Sequence, residues 1–512
     1  MEKCSRNSFR QRLCLLLSLL SGISLAAQTP GELGEGTDLG GGWYASDWLG
    51  GVYVAGYPWI NKPGHGWMYH IAADGEGRSH WLYVYDPGLG WTYTGTHLYP
   101  DLYRADSGTW LRYMEGTREP GQFYDFGLEQ YWEEGREPSV LHIRSHEALI
   151  ESVSRARRIA GRINRIDRYP IHTEVDGTAW ETRESRDWTA GFWPGMLWML
   201  ADFSGDAVLE RLAERWQQGM AGERFRTNTH DLGFMIFNSF GKAHLLGFAD
   251  YRDEIIDAAG SLARRFDDDV GALRSWSWGD WDKGSNFTVI VDNMMNLELL
   301  LWAADQNGGD PAWREMAIDH ADTTMEHFFR EDGSVYHVVV FDENSGEVRE
   351  RTTHQGYSAD SVWSRGQAWA IYGYAMMYRE TGEIRFLEQA EVAADYFLAN
   401  LPADGIPYWD FSSPLIPDDV KDSSAASIAA SALLETSALV ADEAEANRYA
   451  EAAAALLQDL LGDGYFTGQS TDALLAAGTY NWKDDNKDTG TIWGDYYFVE
   501  ALRRYLLLGG FL

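Results

Sequence analysis

Two aspartates stand where this chain could do proton chemistry. Asp231 lies in Thr229-His230-Asp231-Leu232-Gly233-Phe234, and Asp292 in Ile290-Val291-Asp292-Asn293-Met294-Met295-Asn296. Each opens an apolar run long enough to be a buried helix. A carboxylate at a helix entrance, with rings close by in sequence, is placed to act as a general acid or base. Helix capping is the plain alternative, because Asp is a favoured N-cap. Two such positions flanked by indole-rich segments favour chemistry. Polar and aromatic residues also precede other helical runs: Trp188 to Gly195, Trp276 to Trp281, His354 to Tyr357, Arg365 to Trp369, Tyr408 to Phe411 and Gly494 to Tyr497.

From about residue 142 the apolar spacing has helical period. Helices are predicted near 145–163, 189–203, 206–220, 231–247, 250–267, 291–305, 311–329, 361–379, 384–400, 424–441, 443–461 and 491–508. They come as sequential pairs joined by short turns, without strands alternating between them, which points to a bundle or a closed ring of helical hairpins. In such a ring alternate helices run the same way, so their N-termini gather at one mouth with both aspartates. A strand hairpin interrupts the series, Val335 to Phe341 and Glu347 to Thr353.

Residues 42–135 read differently. Aromatic segments such as Trp81-Leu82-Tyr83-Val84-Tyr85 and Gly90-Trp91-Thr92-Tyr93-Thr94 alternate with Gly, Pro and Asp turns, giving period two and hence a small β-meander. Its rings either grip a glycan or cell-surface polymer or form the core of the sheet, and the core reading is the simpler one. A Gly-rich linker is expected over 27–41. Residues 1–26 read as a signal peptide: Lys3, Arg6, Arg10 and Arg12, then the apolar Leu13 to Leu20, then small residues for cleavage. The expected location is therefore outside the cytoplasm, secreted or periplasmic. Both cysteines, Cys4 and Cys14, fall in that segment, so the mature chain would carry no disulfide and no thiolate chemistry.

The 512 residues carry a formal charge of −36, which argues against a nucleic-acid partner. No later segment is apolar for long enough to span a bilayer. No cluster has metal-ligand spacing, no Gly-rich phosphate loop precedes a helix and no nucleophile elbow is present, so neither metal nor cofactor is expected.

The segments WTAGFWPGMLW, HDLGFM, VDNMMNLELL, SRGQAWAIYG, DSSAASIAASALLE and GDYYFVEAL resemble, in order, those of the unsaturated glucuronyl hydrolases of glycoside hydrolase family 88. The resemblance spans about 142–512 and leaves out 42–135. It implies an all-α (α/α)6 barrel, here with a small N-terminal aromatic-rich β module. It also implies hydration of the 4,5 double bond of an unsaturated uronic acid at the non-reducing end of lyase-generated oligosaccharides. On the same ground Asp292 matches the general acid/base and Asp231 the second essential aspartate. His337 and Gln355 match polar site residues. Arg365 and Trp369 would serve the uronate carboxylate and the sugar face. Trp188, Trp193 and His230 complete the substrate-binding candidates, Trp193 being equally suited to the core. An unsaturated rhamnogalacturonyl hydrolase and a non-catalytic glycan-binding surface protein are the alternatives. The partners expected are unsaturated uronic-acid oligosaccharides.

Overall fold

The structure, a computed structural model, describes the strands within 36–133 by their backbone pairing. It then describes residues 139–508, apart from 175–178 and 468–470. The expected signal peptide lies outside the described residues. Two units divide the chain between Ile143 and Arg144.

In the first unit eleven strands, β1 (Gly36–Gly40) to β11 (Gln130–Glu133), pair antiparallel in strictly sequential order. The expected linker therefore gives way to strand at Gly36. The register sorts residues by type. Trp59 is opposite Tyr69, Tyr69 opposite Tyr83, Tyr83 opposite Tyr93, Tyr93 opposite Tyr103 and Tyr103 opposite Trp110. Aromatic residues thus occupy one register row across six successive strands. Met68, Val84, Leu102 and Leu111 fall on the other face, where Leu102 is fully buried.

The second unit is a ring of helices in two layers. The inner layer consists of α2 (Phe192–Ser204), a π-helix (Gly233–Gly241) that runs into α4 (Lys242–Leu245), α6 (Leu297–Ala304), α8 (Ser364–Thr381), α10 (Ser423–Leu439) and α12 (Ile492–Leu507). Each packs on the next, and α12 packs back on α2, closing the ring. The outer layer is α1 (Val140–Ile163), α3 (Ala207–Gly219), α5 (Arg252–Ala263), α7 (Ala312–Phe328), α9 (Ile384–Ala399) and α11 (Glu443–Leu460). Six inner and six outer helices make the expected (α/α)6 barrel.

Burial explains the layers. Ser423 to Thr436 of α10 is buried all round, and its Ala and Ser side chains let three helices approach closely. The outer α3 buries only Leu209, Ala213, Trp216 and Gln217, one stripe of an amphipathic helix. Caps set the ends: Asp206, Asp422, Asp442 and Thr491 each accept a backbone N–H of the first turn they precede. Gly205 and Gly382 close α2 and α8 in the left-handed region.

Four short strands accompany the ring, β12 (Tyr169–Thr173) with β13 (Trp180–Arg183), and β14 (Phe266–Asp267) with β15 (Ala272–Leu273). The expected hairpin is present as β17 (Val338–Asp342) and β18 (Val348–Thr352), and a third strand, β16 (Asn286–Ile290), pairs along β17. That third strand is what brings distant residues together. Ile290 pairs with Val338 and Val338 with Thr352. Asp292, His337 and Thr353 to Gln355, each just beyond a paired position, therefore converge at one end of the sheet.

Candidate active site

A cleft of about 240 Å3 opens where the inner helices begin. Trp188 reaches it from the turn before α2, and His230 and Asp231 from the turn before the π-helix. Asp292 comes from the 3-10 turn before α6, His354 and Gln355 from the loop before α8, and Tyr480 and Asn481 from the loop before α12. Neither aspartate caps its helix: the caps are Leu232 and Ile290, with no side-chain capping bond.

Asn296 ties the two aspartate segments together. Its Oδ1 accepts the Phe234 N–H at 2.9 Å. A Cβ added at Gly233 would lie 2.6 Å from the Asn296 Cα, so only glycine permits this approach. The π-helix itself departs from the α-helix expected over 231–247. Its wider turn begins two residues after Asp231, at Gly233, and Ser239 Oγ donates back to the Met235 carbonyl at 2.6 Å within it. Single π-turns are often found at functional sites.

Asp292 is the perturbed acid. Burial pushes its carboxyl up to about 7; Arg365 and its own backbone N–H oppose the shift, and Asp231 adds to it. Its Oδ2 makes no hydrogen bond to a described residue and faces His337 Nε2 at 3.7 Å. His337 is itself fixed. Its Nδ1 accepts the His354 and Gln355 N–H groups, each at 3.3 Å, so its own hydrogen sits on Nε2. Burial, seconded by His354, Arg365 and Lys483, holds that imidazole well below its ordinary pKa. A neutral N–H donor thus points at the acid.

Asp231 is held from two sides. Thr229 Oγ1 donates to its Oδ2 at 3.1 Å, and His230 Nε2 lies 3.1 Å from its Oδ1. Above the carboxylates stand indoles. Trp276 has its centroid 5.5 Å from Trp278 and 5.1 Å from Trp281, and all three meet the His354 ring edge-on. Trp278 is 52% exposed at the rim. Below, Phe192, Phe234, Trp369, Tyr496 and Tyr497 pack ring against ring across the barrel and close the cleft's floor. A separate cavity beyond that floor shares no lining residue with the cleft.

Of the residues expected at the site, Asp231, Asp292, Trp188, His230 and Gln355 line the cleft, and His337 stands directly behind Asp292. Three do not. Trp193 is fully buried on α2, its ring edge-on to Trp216. Trp369 belongs to the floor, behind Phe234. Arg365 is 1% exposed: Nη1 donates to Asp422 Oδ2 at 2.7 Å, and Nη2 to the Tyr480 carbonyl at 2.8 Å. Its guanidinium is flanked by the Trp363 and Trp493 rings. It serves as a buried positive charge behind the acid rather than a clamp at the mouth. Trp276 and Trp278, expected in a loop near the mouth but given no role, and Tyr480 and Asn481, not expected there, also line the cleft. The indole-dense loop from Trp276 was the available signal for the first two. Tyr480 and Asn481 lie eleven or more residues before α12, too far to be tied to its entrance by spacing.

The profile of Glycosyl Hydrolase Family 88 matches residues 158–498. The chain is 42% identical over 330 residues to an unsaturated glucuronyl hydrolase of Formosa agariphila, covering 62% of this chain and 80% of that protein. It is 38% identical over 348 residues to an unsaturated glucuronyl hydrolase of Bacillus sp. strain GL1, covering 66% and 91%. A solved structure described as an unsaturated glucuronyl hydrolase specific for heparin superposes with a TM-score of 0.67 at 37% identity, over 72% of this chain and 97% of the other.

Proposed function

The chain belongs to Glycosyl Hydrolase Family 88 and is a glycoside hydrolase, and from that premise we propose that it is a secreted unsaturated glucuronyl hydrolase acting on lyase-generated oligosaccharides. The substrate carries a 4,5-unsaturated uronic acid at its non-reducing end. Asp292 donates its proton to C4 of the vinyl ether, and the resulting carboxylate takes a proton from water as the hydroxyl adds at C5. The hemiketal so formed opens, releasing the keto-uronate and the aglycone sugar. The rule linking carboxylate separation to inversion or retention does not apply to such a hydration.

One observation carries this reading. Asp292 is largely withdrawn from solvent in a ring-lined cleft, its carboxyl is pushed up to about 7, and its Oδ2 lies 3.7 Å from the N–H nitrogen of a fixed imidazole. An acid of that strength is half protonated near neutral pH, which suits donation to an enol ether. The uronate carboxylate would be met by neutral donors of the cleft, such as Gln355 and Asn481, because among the described residues no Lys or Arg lines it. Incubation with unsaturated disaccharides from several lyases tests the activity: ultraviolet absorbance of the conjugated uronate should fall. Unchanged absorbance across the panel would overturn it. Export is tested by N-terminal sequencing of the extracellular or periplasmic protein, which should begin near residue 27.

A further inference from the structure

The two aspartates face histidines of opposite tautomer. At Asp292 the facing nitrogen, His337 Nε2, carries a hydrogen, because Nδ1 is taken as an acceptor by two backbone N–H groups. At Asp231 the order is reversed. His230 Nδ1 lies 2.9 Å from the Ser275 carbonyl. A carbonyl oxygen only accepts, so Nδ1 must donate. Nε2 is then the bare nitrogen of a neutral imidazole, and it lies 3.1 Å from Asp231 Oδ1. A lone pair facing a carboxylate oxygen at that distance is repulsive. Water offers little relief, since the His230 side chain is 5% exposed and that of Asp231 15%. The other carboxylate oxygen does not supply the missing hydrogen, because Oδ2 is served by the Thr229 hydroxyl.

We propose that His230 and Asp231 share one proton on the Nε2–Oδ1 line, so that the pair is electrically neutral. His230 is thereby a positioning residue that keeps an uncompensated anion away from Asp292. The proposal holds whichever of the two atoms is nearer the proton. The surroundings oppose each other in a way that a shared proton resolves. Burial holds the His230 imidazole below its ordinary pKa; Asp231 and the Ser275 carbonyl oppose the shift and Arg265 adds to it, so the pair's proton is drawn toward Asp231 as well as toward the ring. Arg265, from the turn after α5, also donates Nη2 to the same Ser275 carbonyl at 3.0 Å. His320 of α7 interacts with His230, Arg274 and Asp282 flank Arg265, and Asp292 lies across the cleft. The kinetic consequence rests on the proposed hydration; the proton itself does not.

Two measurements on the full chain test it. In the 15N imidazole spectrum of histidine-labelled protein, the His230 signals are those lost in His230→Gln. At neutral pH Nε2 should be displaced from the unprotonated position toward the protonated one. An unperturbed bare-nitrogen signal would overturn the proposal. Should His230→Gln not fold, Asp231→Asn identifies the signal by moving it. In the second measurement, Gln keeps a donor toward Asp231 but cannot hold the charge. The alkaline limb of kcat/KM, set by Asp292, should then move up by about one pH unit, the scale of one unit charge across a cleft. A limb that stays in place while kcat falls at every pH would reduce His230 to a structural role. Absence of hydration altogether would sink the functional reading and leave the spectrum to decide the proton.

Discussion

Asp292 carries opposite consequences for turnover and for stability. In the proposed hydration donation requires the protonated form, so kcat/KM should fall as pH rises through about 7. Asp292→Asn should fold and lose several orders of magnitude in kcat, measured by absorbance loss. The same burial makes the folded chain bind this proton more tightly than the unfolded chain. A carboxyl raised in this way penalises folding as pH climbs from the ordinary carboxyl range through about 7. Asp292→Asn should therefore raise Tm at pH 8, by up to about 4 kcal/mol in stability, and leave it unchanged near pH 4. Equal gains at both pH values would remove the electrostatic account. Arg365 makes a different prediction. Deleting one partner of a buried ion pair costs about 3–5 kcal/mol. Arg365→Ala should lower Tm sharply, and adding Asp422→Ala should restore part of the loss. A variant with wild-type Tm and only a raised KM would return Arg365 to the substrate. The misplacement of Arg365, Trp193 and Trp369 has a common cause. Sequence spacing located them on the right helices but could not show how far below the mouth each lies. Trp369 is one turn below Arg365 on α8, on the same face, and both are sealed in by neighbouring rings.

Helices were legible because the 3.6 period is written in their apolar residues, and the twelve expected runs correspond to the twelve that close the ring. The π-helix was not, since i→i+5 bonding leaves no mark in hydrophobic spacing. Strand β16 was also hidden: Asn286 to Ile290 is short and runs on directly into the Asp292 motif. Yet these two elements set the geometry of the site, through the Ile290–Val338 register and the Asn296–Phe234 bond. Asn296→Ala leaves the Phe234 N–H buried without its acceptor, a loss of about 1–3 kcal/mol. It should also cut kcat by roughly 10- to 100-fold, because small displacements of reacting groups are expensive. A stable variant with wild-type kcat would show that the aspartates are held apart from this link.

At the scale of the molecule, charge and closure govern access. A chain of −36 repels anionic sugars at long range, while the screening length is about 8 Å at physiological salt. Raising ionic strength from very low to moderate should lower KM or leave it flat; a steep rise would mean that attraction governs encounter. The aromatic floor has a consequence for traffic. Among the described residues the cleft is closed below by the packed, buried rings of Phe192, Trp369 and Tyr497, and it has one door. Whatever enters must leave the same way, so a glycan can be threaded in by its terminus but never passed through. Under the proposed reaction each visit then removes one sugar and ends. In a digest of mixed chain lengths the rate should follow the molar number of unsaturated termini and ignore the mass of polymer behind them.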